Sequence, residues 1–182
     1  MIAIALLFRD RSEKLSSDSS KAMPQMYKTD NEKNILYAPS LHLSLFAGID
    51  DSNLKNLKAS LDKLCAKAIR IEYTGIGIFL KRKVTLYFRW KTDRTLMDFR
   101  NKLEKVFKRY LPKRQVPGYG NHDWIAKTTW LTIFNVDSDI SKLINDCNSL
   151  VLKKYHHCSE LILIKYSKDG KEEVIYSRKL DG

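Results

Sequence analysis

Apolar positions along the chain repeat with two periods, one typical of helices and the other of strands. Three ranges carry apolar residues at spacings of three and four, which predicts amphipathic helices at 52–67, 93–111 and 138–152. Apolar runs or apolar/polar alternation predict strands at 1–8, 41–46, 69–79, 84–90, 129–136, 160–167 and 173–178. Because helices and strands interleave, the pattern predicts an α+β or α/β class with a strand-rich core.

The segments between these elements carry turn signals. Residues 9–40 are polar and Ser-rich, and we predict a short helix followed by a loop there. The pair Asp169-Gly170 predicts a β-hairpin between the last two strands. Gly75 and Gly77 predict a turn or bulge rather than a dinucleotide loop, because no third glycine and no helix follow them.

Length and composition indicate one globular unit. A chain of 182 residues, 43% of them hydrophobic, can bury a core, and we predict a single domain over 1–182. Three scattered cysteines without a C-x-x-C pair favour a reducing, cytoplasmic location without disulfides or structural zinc. No apolar run approaches the ~18 residues of a membrane helix. The opening MIAIALLF predicts a buried strand rather than a signal peptide, since charged residues follow it directly.

Charge is concentrated in the middle of the chain. The net charge is +12, of which residues 52–114 carry +13 while the remainder carries −1. A concentrated basic surface attracts polyanions, and RNA is the commonest of these. Lys and Arg also cover the solvent faces of ordinary helices, so composition alone leaves both interpretations open.

Two predicted strands resemble each other at a constant offset of 88 residues. LHLSLF at 41–46 and WLTIF at 130–134 each alternate an apolar residue with a polar or aromatic one, so that every second side chain shares a face. The similarity predicts an internal duplication in which each half contributes one inward-facing strand. The expected inward residues are His42, Ser44 and Phe46 in the first strand and Trp130, Thr132 and Phe134 in the second, and we expect the aromatic ones to contact a substrate.

This pair of strands resembles the two His-x-Thr/Ser-x-apolar motifs of the two-histidine (2H) phosphoesterase superfamily, which includes the bacterial 2′–5′ RNA ligase-like enzymes, or RNA 2′,3′-cyclic phosphodiesterases. The resemblance implies an α+β, bilobal fold of two pseudo-symmetric antiparallel sheets backed by helices around a central cleft. It extends over nearly the whole chain, through the segments LHLSLFAGI, IRIEYTGIGIF, KVTLYFRW, TTWLTIF and ELILIKYSKDGKEEVIY.

The resemblance also implies a chemistry. His42 would act as an acid or base, while the hydroxyls of Ser44 and Thr132 would hold the phosphate oxygens. The implied ligand is a 2′,3′-cyclic phosphate or 2′–5′ phosphodiester group of RNA or a nucleotide. Such a site needs no metal or other cofactor, because imidazoles titrate near neutral pH. Tyr37, just before the first motif, would edge the cleft or pack in its loop.

One position departs from the family pattern. Trp130 occupies the place of the second histidine, and an indole is a donor only and cannot relay a proton. The protein could be a weakened or altered phosphodiesterase, or His122 or Lys127 could substitute, although neither spacing resembles the family. Alternatively, it is a non-catalytic RNA- or nucleotide-binding module, in which Trp130 stacks on a base or ribose. Trp130 could instead merely fill a shrunken cleft. A structural or protein-interaction role is a third class.

Other candidate chemistry is weaker. His156 and His157 lie next to Lys153, Lys154 and Cys158, which predicts a basic loop between helix and strand, with a metal site as the alternative. No nucleophilic triad, Walker loop, paired-carboxylate site or zinc spacing stands out. The sequence leaves the oligomeric state open.

Overall fold

The fold was analysed in a computed structural model of the chain. The structure describes residues 1–8, 35–37, 42–80, 83–113, 116–120, 123–134, 145, 154–167 and 171–181. The helix and loop expected within 9–40 lie outside the described residues, apart from 35–37, as does the helix expected at 138–152, apart from position 145.

The first sheet is antiparallel and consists of the four strands β1 (Ile2–Leu7), β3 (His42–Ile49), β8 (Glu160–Tyr166) and β9 (Glu172–Lys179). Their order in the sheet is β3-β1-β8-β9. The opening strand lies inside this sheet and is buried over nearly its whole length, as its unbroken apolar run predicts. The expected terminal hairpin is also present, as β8 and β9.

The second sheet is antiparallel and consists of the five strands β2 (Ile35–Tyr37), β4 (Ile69–Leu80), β5 (Lys83–Trp90), β6 (Lys127–Phe134) and β7 (Tyr155–Cys158). Their order in the sheet is β2-β6-β5-β4-β7.

The basic loop expected around His156 and His157 is wrong. These residues belong to the short strand β7, in which His156 pairs with Ile71 and His157 with Arg70. Buried His156 packs edge-on against Trp90, with ring centroids 5.2 Å apart. Only four residues long, β7 is fixed by its pairing with β4 and has too little internal periodicity to be recognised.

Two described helices fall within ranges that the helical periodicity predicts. Helix α1 (Leu54–Asp62) follows a 3-10 turn at Asp51–Asn53, and helix α2 (Arg94–Phe107) continues into a 3-10 turn at Lys108–Tyr110. Asp93 caps α2, because its side chain accepts a hydrogen bond of 2.9 Å from the amide of Leu96. Neither helix spans 18 residues, and no helix in the described part of the chain is long and apolar enough to cross a membrane.

The glycines of β4 form a bulge within a continuous strand. Pairing of β4 with β5 is irregular between Tyr73 and Gly75, where Gly75 has a φ of +133° that favours glycine. Gly77 lies opposite Tyr87, and a Cβ atom at Gly77 would stand 2.2 Å from Cζ of that ring. The bulge predicted from this Gly-x-Gly sequence is therefore confirmed, and the second glycine makes room for an aromatic ring.

The core unites the helices with both sheets. One large apolar cluster includes buried residues from α1, α2 and strands of each sheet, while a small cluster of Ala5, Ile162 and Ile164 lies on the opposite face of β1 and β8. The predicted α+β class with two antiparallel sheets is confirmed. The opposite face of the first sheet, which bears the small cluster, carries the candidate site.

Candidate functional site

The two strands that resemble the family motifs approach each other from different sheets. β3 is the edge strand of the first sheet, β6 lies in the second, and their Cα atoms come within 8 Å. His42 and Ser44 pair with Leu7 and Ala5, which places them on the face that carries the small apolar cluster. We call this face, together with the face of the second sheet that carries Thr132, the inner face.

The motif side chains on the inner face are polar and buried. His42 is 5% exposed, Ser44 9% and Thr132 8%. The hydroxyl of Tyr166 lies 3.4 Å from Nε2 of His42, and the hydroxyls of Thr132 and Thr85 lie 3.3 Å apart. Burial of these groups limits the positions in which a ligand could contact them.

Two tyrosines converge on Ser44. Tyr119 and Tyr166 both lie close enough to interact with its side chain. Burial raises the pKa of each phenol above its ordinary value, and the interaction with Ser44 opposes that rise. Both phenols therefore stay protonated at neutral pH and can donate hydrogen bonds within the site.

A buried arginine holds the backbone around Ser44. Arg100 is 0% exposed, and its guanidinium donates hydrogen bonds to the carbonyls of Leu45 at 3.4 Å and Tyr119 at 2.7 Å. It lies 4.9 Å from the ring centroid of Phe46 and 4.8 Å from that of Trp124. Burial lowers the pKa of Arg100, but an arginine remains protonated at neutral pH. Arg100 thereby links α2 to the first motif strand and to the loop carrying Tyr119.

Strict alternation along the first motif strand ends at Ser44. Ser44 pairs with Ala5, while Phe46 pairs with the next residue of β1, Ile4, so Leu45 is an extra residue in a β-bulge. Phe46, 2% exposed, consequently turns into the large core beside Arg100. The prediction that Phe46 shares a face with Ser44 is therefore wrong. Contact of Phe46 with a substrate remains a prediction, which this core position does not support.

The second motif strand has a matching bulge. Leu131 pairs with Leu86 and Thr129 with Tyr87, so Trp130 is the extra residue. Its indole is 1% exposed and belongs to the large core. The prediction that Trp130 shares a face with Thr132 is therefore also wrong. Stacking of a base on Trp130 remains a prediction, which this burial does not support.

Trp130 instead packs as a core residue. Its ring stacks on Phe88 with centroids 5.3 Å apart. The Nε1 atom meets no hydrogen-bond acceptor in the described part of the chain. Of the interpretations open at this position, filling of the interior by the ring agrees best with the packing.

Three other expected site residues are described only in part or not at all. Tyr37 lies in β2, opposite Leu131, and Phe134 lies in β6, opposite Lys83, but the structure describes only their backbone positions. His122 lies outside the described residues. A role of any of the three in binding or proton transfer therefore stays a prediction.

A lysine and a glutamate complete the charged part of the inner face. The ammonium of Lys127 lies 5.6 Å from the ring centroid of Phe79 and 6.0 Å from that of Tyr87. Burial lowers the pKa of Lys127, and the charge of Glu172 opposes that shift. Burial likewise raises the pKa of Glu172, which Lys127 opposes. The two groups are thus close enough for each to influence the protonation of the other.

Several of these residues have no motif of their own in the sequence. A signal existed for Arg100, because it falls on the apolar stripe of its helix, four residues after Leu96 and three before Leu103. A charged residue within such a stripe points towards the core and therefore needs buried partners. Nothing local marks Tyr119, Tyr166 or Glu172, because strand pairing and loop placement bring them to the site.

Comparison with solved structures agrees with this fold. The chain matches TT0787 of Thermus thermophilus with a TM-score of 0.66 and 15% identity, over 100% of this chain and 98% of that one. It matches E. coli LigT complexed with NADP+ with a TM-score of 0.57 and 12% identity, over 100% and 97%. A crystal structure of a phosphoesterase matches with a TM-score of 0.54 and 13% identity, over 100% and 98%.

These matches establish the fold. The two-histidine phosphoesterase-like fold implied by the sequence resemblance is confirmed. LigT has also been crystallised with 3′-AMP, ATP and phosphate, in structures that match this chain with TM-scores of 0.51, 0.54 and 0.53. No protein-family model and no curated protein sequence matches the chain.

The described residues form no group of three or more His, Cys, Asp or Glu side chains that could hold a metal ion. A site that works without a metal or another cofactor remains a prediction of the resemblance.

Proposed function

We propose that this protein binds the phosphate group of an RNA end or a nucleotide between β3 and β6 and hydrolyses a 2′,3′-cyclic phosphate or 2′–5′ phosphodiester, with catalysis weakened or altered relative to enzymes with two motif histidines. One observation carries the proposal: strands from separate sheets bring His42, Ser44 and Thr132 to the facing inner surfaces. The nucleotide and phosphate complexes of LigT, which has the same fold, support a ligand of this class.

Each residue has a defined role in the proposal. His42 takes a proton from the attacking water, and Tyr166, at 3.4 Å from its Nε2, orients the imidazole. The hydroxyls of Ser44 and Thr132 bind phosphate oxygens, so that the phosphorus lies between the two strands. Tyr119 and Tyr166 orient the Ser44 hydroxyl. The second proton, which the leaving ribose oxygen requires, has no imidazole donor at position 130 because that residue is a buried tryptophan.

The primary test is hydrolysis of an RNA oligonucleotide ending in a 2′,3′-cyclic phosphate. The native protein is compared with His42→Ala and with a matched control, His157→Ala, which removes an exposed imidazole from β7. We expect turnover that falls by about 10²-fold or more in His42→Ala and is unchanged in the control. Equal turnover in His42→Ala would contradict the role of this histidine.

A binding module without turnover is the second candidate. Burial of Trp130 in the core favours it, because the second imidazole of the family pattern is absent and nothing at that position replaces it. Calorimetric titration with 3′-AMP separates the candidates when no hydrolysis is found. Binding that weakens in Ser44→Ala and Thr132→Val would support the module, whereas absence of binding to 3′-AMP and to RNA would leave a structural role.

A further inference from the structure

We propose that Lys127 is the second proton-transfer group of this site, donating the proton to the leaving ribose oxygen, and that Glu172 positions its ammonium group. The inference rests on the proposed function, because it assigns the one role that the motif residues leave unfilled. It follows from the strand register of β6 and from the side chains that surround Lys127.

The bulge in β6 brings Lys127 to the inner face. Positions 127 and 132 differ by five residues, so strict alternation would put their side chains on opposite faces. The extra residue at Trp130 reverses the alternation once. Lys127 therefore pairs with Arg89 and Thr132 with Thr85, two positions on the same face of β5. The irregularity that removes Trp130 from the site is thus the one that adds Lys127.

Groups from both sheets surround the ammonium of Lys127. Tyr87 and Phe79 line it within its own sheet. Glu172, which interacts with it electrostatically, lies on β9 of the other sheet, opposite Tyr166. Tyr166 in turn lies 3.4 Å from His42. A series of neighbouring polar groups therefore connects Lys127 with the histidine. Within the described ranges, Arg89 on β5 and Tyr119 in the loop after α2 are further charged or titratable groups that face this region.

Glu172 has the features of a positioning residue. Its Oε2 atom is buried and meets no hydrogen-bond donor within the described residues. An oxygen bound to a structural partner would have its hydrogen bond satisfied in the folded chain. An acceptor without such a partner, beside a half-buried lysine, is instead available to a hydroxyl of a ligand. Burial of both charges costs folding stability, which is typical of functional sites.

His42 and Lys127 together account for both proton transfers of the hydrolysis. Neutral His42 removes a proton from water as the water oxygen bonds to phosphorus. The phosphorus–oxygen bond to the ribose breaks, and the ammonium of Lys127 gives that oxygen a proton, leaving a phosphate monoester and a ribose hydroxyl. Afterwards His42 carries the extra proton and Lys127 lacks one, and exchange with solvent restores both. A lysine in a desolvated position is a better acid than one in water, because its charged form is less stable there.

The test separates proton donation from simple charge attraction. Lys127→Arg keeps the positive charge but cannot release a proton near neutral pH, whereas Lys127→Met removes both. We expect kcat on the 2′,3′-cyclic phosphate oligonucleotide to fall by about 10²-fold or more in both variants, with KM unchanged in Lys127→Arg. Lys179→Met, which removes an exposed lysine from β9, is the matched control and should leave kcat unchanged.

The pH profile tests the part of Glu172. The native enzyme should lose kcat/KM on an alkaline limb as Lys127 deprotonates, at a pH below that of a free lysine. Glu172→Gln removes the negative charge that favours the ammonium, so this limb should move to lower pH. The matched control is Glu173→Gln, whose carboxylate is exposed on the neighbouring position, and it should not move the limb.

Each outcome supports or overturns one of the proposals. Unchanged kcat in both Lys127 variants, with active native protein, would overturn this inference and leave the proposed function standing. Full activity in Lys127→Arg alone would show that the charge, rather than the proton, matters, and would overturn proton donation. Absence of hydrolysis by the native protein would overturn catalysis and this inference together. An alkaline limb that stays in place in Glu172→Gln would overturn the positioning role.

Discussion

Two buried tryptophans in the second sheet allow the burial of Trp130 to be tested quantitatively. Trp90 is 5% exposed, and its indole N–H donates a hydrogen bond of 2.9 Å to the hydroxyl of Thr128. Trp130 is 1% exposed, and its indole N–H has no acceptor within the described part of the chain. Replacement of each by phenylalanine removes an indole N–H that is hydrogen-bonded in one case and lacks an acceptor in the other.

The comparison isolates the indole N–H. Both substitutions remove the same ring atoms from the core, so the transfer and cavity costs are similar and largely cancel between the two variants. Trp90→Phe also removes a hydrogen bond to Thr128, with a net loss of about 0.5–1.5 kcal/mol. Trp130→Phe removes a buried donor without a partner, which relieves about 1–3 kcal/mol of desolvation. We therefore expect Trp90→Phe to be the more destabilising by at least about 1.5 kcal/mol.

The assay is urea unfolding followed by circular dichroism, with free energies compared only when the m-values agree. If Trp130→Phe destabilises the protein as much as Trp90→Phe, or more, the reasoning about the unpaired indole is refuted. Affinity for 3′-AMP is a second measurement on the same variants. A full stacking contact is worth about 1–3 kcal/mol, of which Trp130→Phe would remove only a part. A core position instead predicts unchanged affinity in Trp130→Phe.

Three further predictions concern the site and its support. Trp130→His should not raise turnover of the cyclic phosphate, and should lower the free energy of unfolding by about 2–4 kcal/mol because the imidazole replaces a core ring; a gain in kcat would contradict the core placement. Arg100→Met should lower the free energy of unfolding by about 2–5 kcal/mol, because the carbonyls of Leu45 and Tyr119 lose their donor. Denaturant unfolding measures this change, and a value near zero would contradict the role of Arg100 in linking these segments. Burial lowers the pKa of Lys127, so folding releases protons at alkaline pH and the native protein gains stability as the pH rises towards the ordinary lysine value. Lys127→Met should therefore be the more stable protein at pH 7, with a difference that narrows at alkaline pH, and unfolding curves that keep a constant difference would refute the desolvation.

Much of the fold could be predicted from the sequence because its elements are long and periodic. The apolar opening strand, the amphipathic helices before and after the central hairpin, and the terminal hairpin each carry enough residues for their period to show. Short elements could not be predicted in the same way. The strand Tyr155–Cys158 depends on its pairing with β4, and three- or four-residue segments such as this and Ile35–Tyr37 have no period of their own.

Within the site, the sequence determined which reactive side chains are present and their order along the chain. It supplied His42, Ser44 and Thr132 on two strands of similar pattern, an indole where the family pattern has a second imidazole, and a lysine three residues before that indole. Alternation within each strand indicated which side chains would share a face. That inference held as far as the first irregularity in each strand.

The tertiary structure decided which side of each strand faces the site. A single extra residue, Leu45 in β3 and Trp130 in β6, reverses the alternation and turns Phe46 and the indole of Trp130 into the core. A bulge is defined by hydrogen bonds to a neighbouring strand that is distant in the chain, so no period within one strand records it. The approach of Glu172 to Lys127 depends likewise on how the two sheets pack against each other. The approach of Tyr166 to His42 depends on the pairing of β3 and β8 with the two sides of β1.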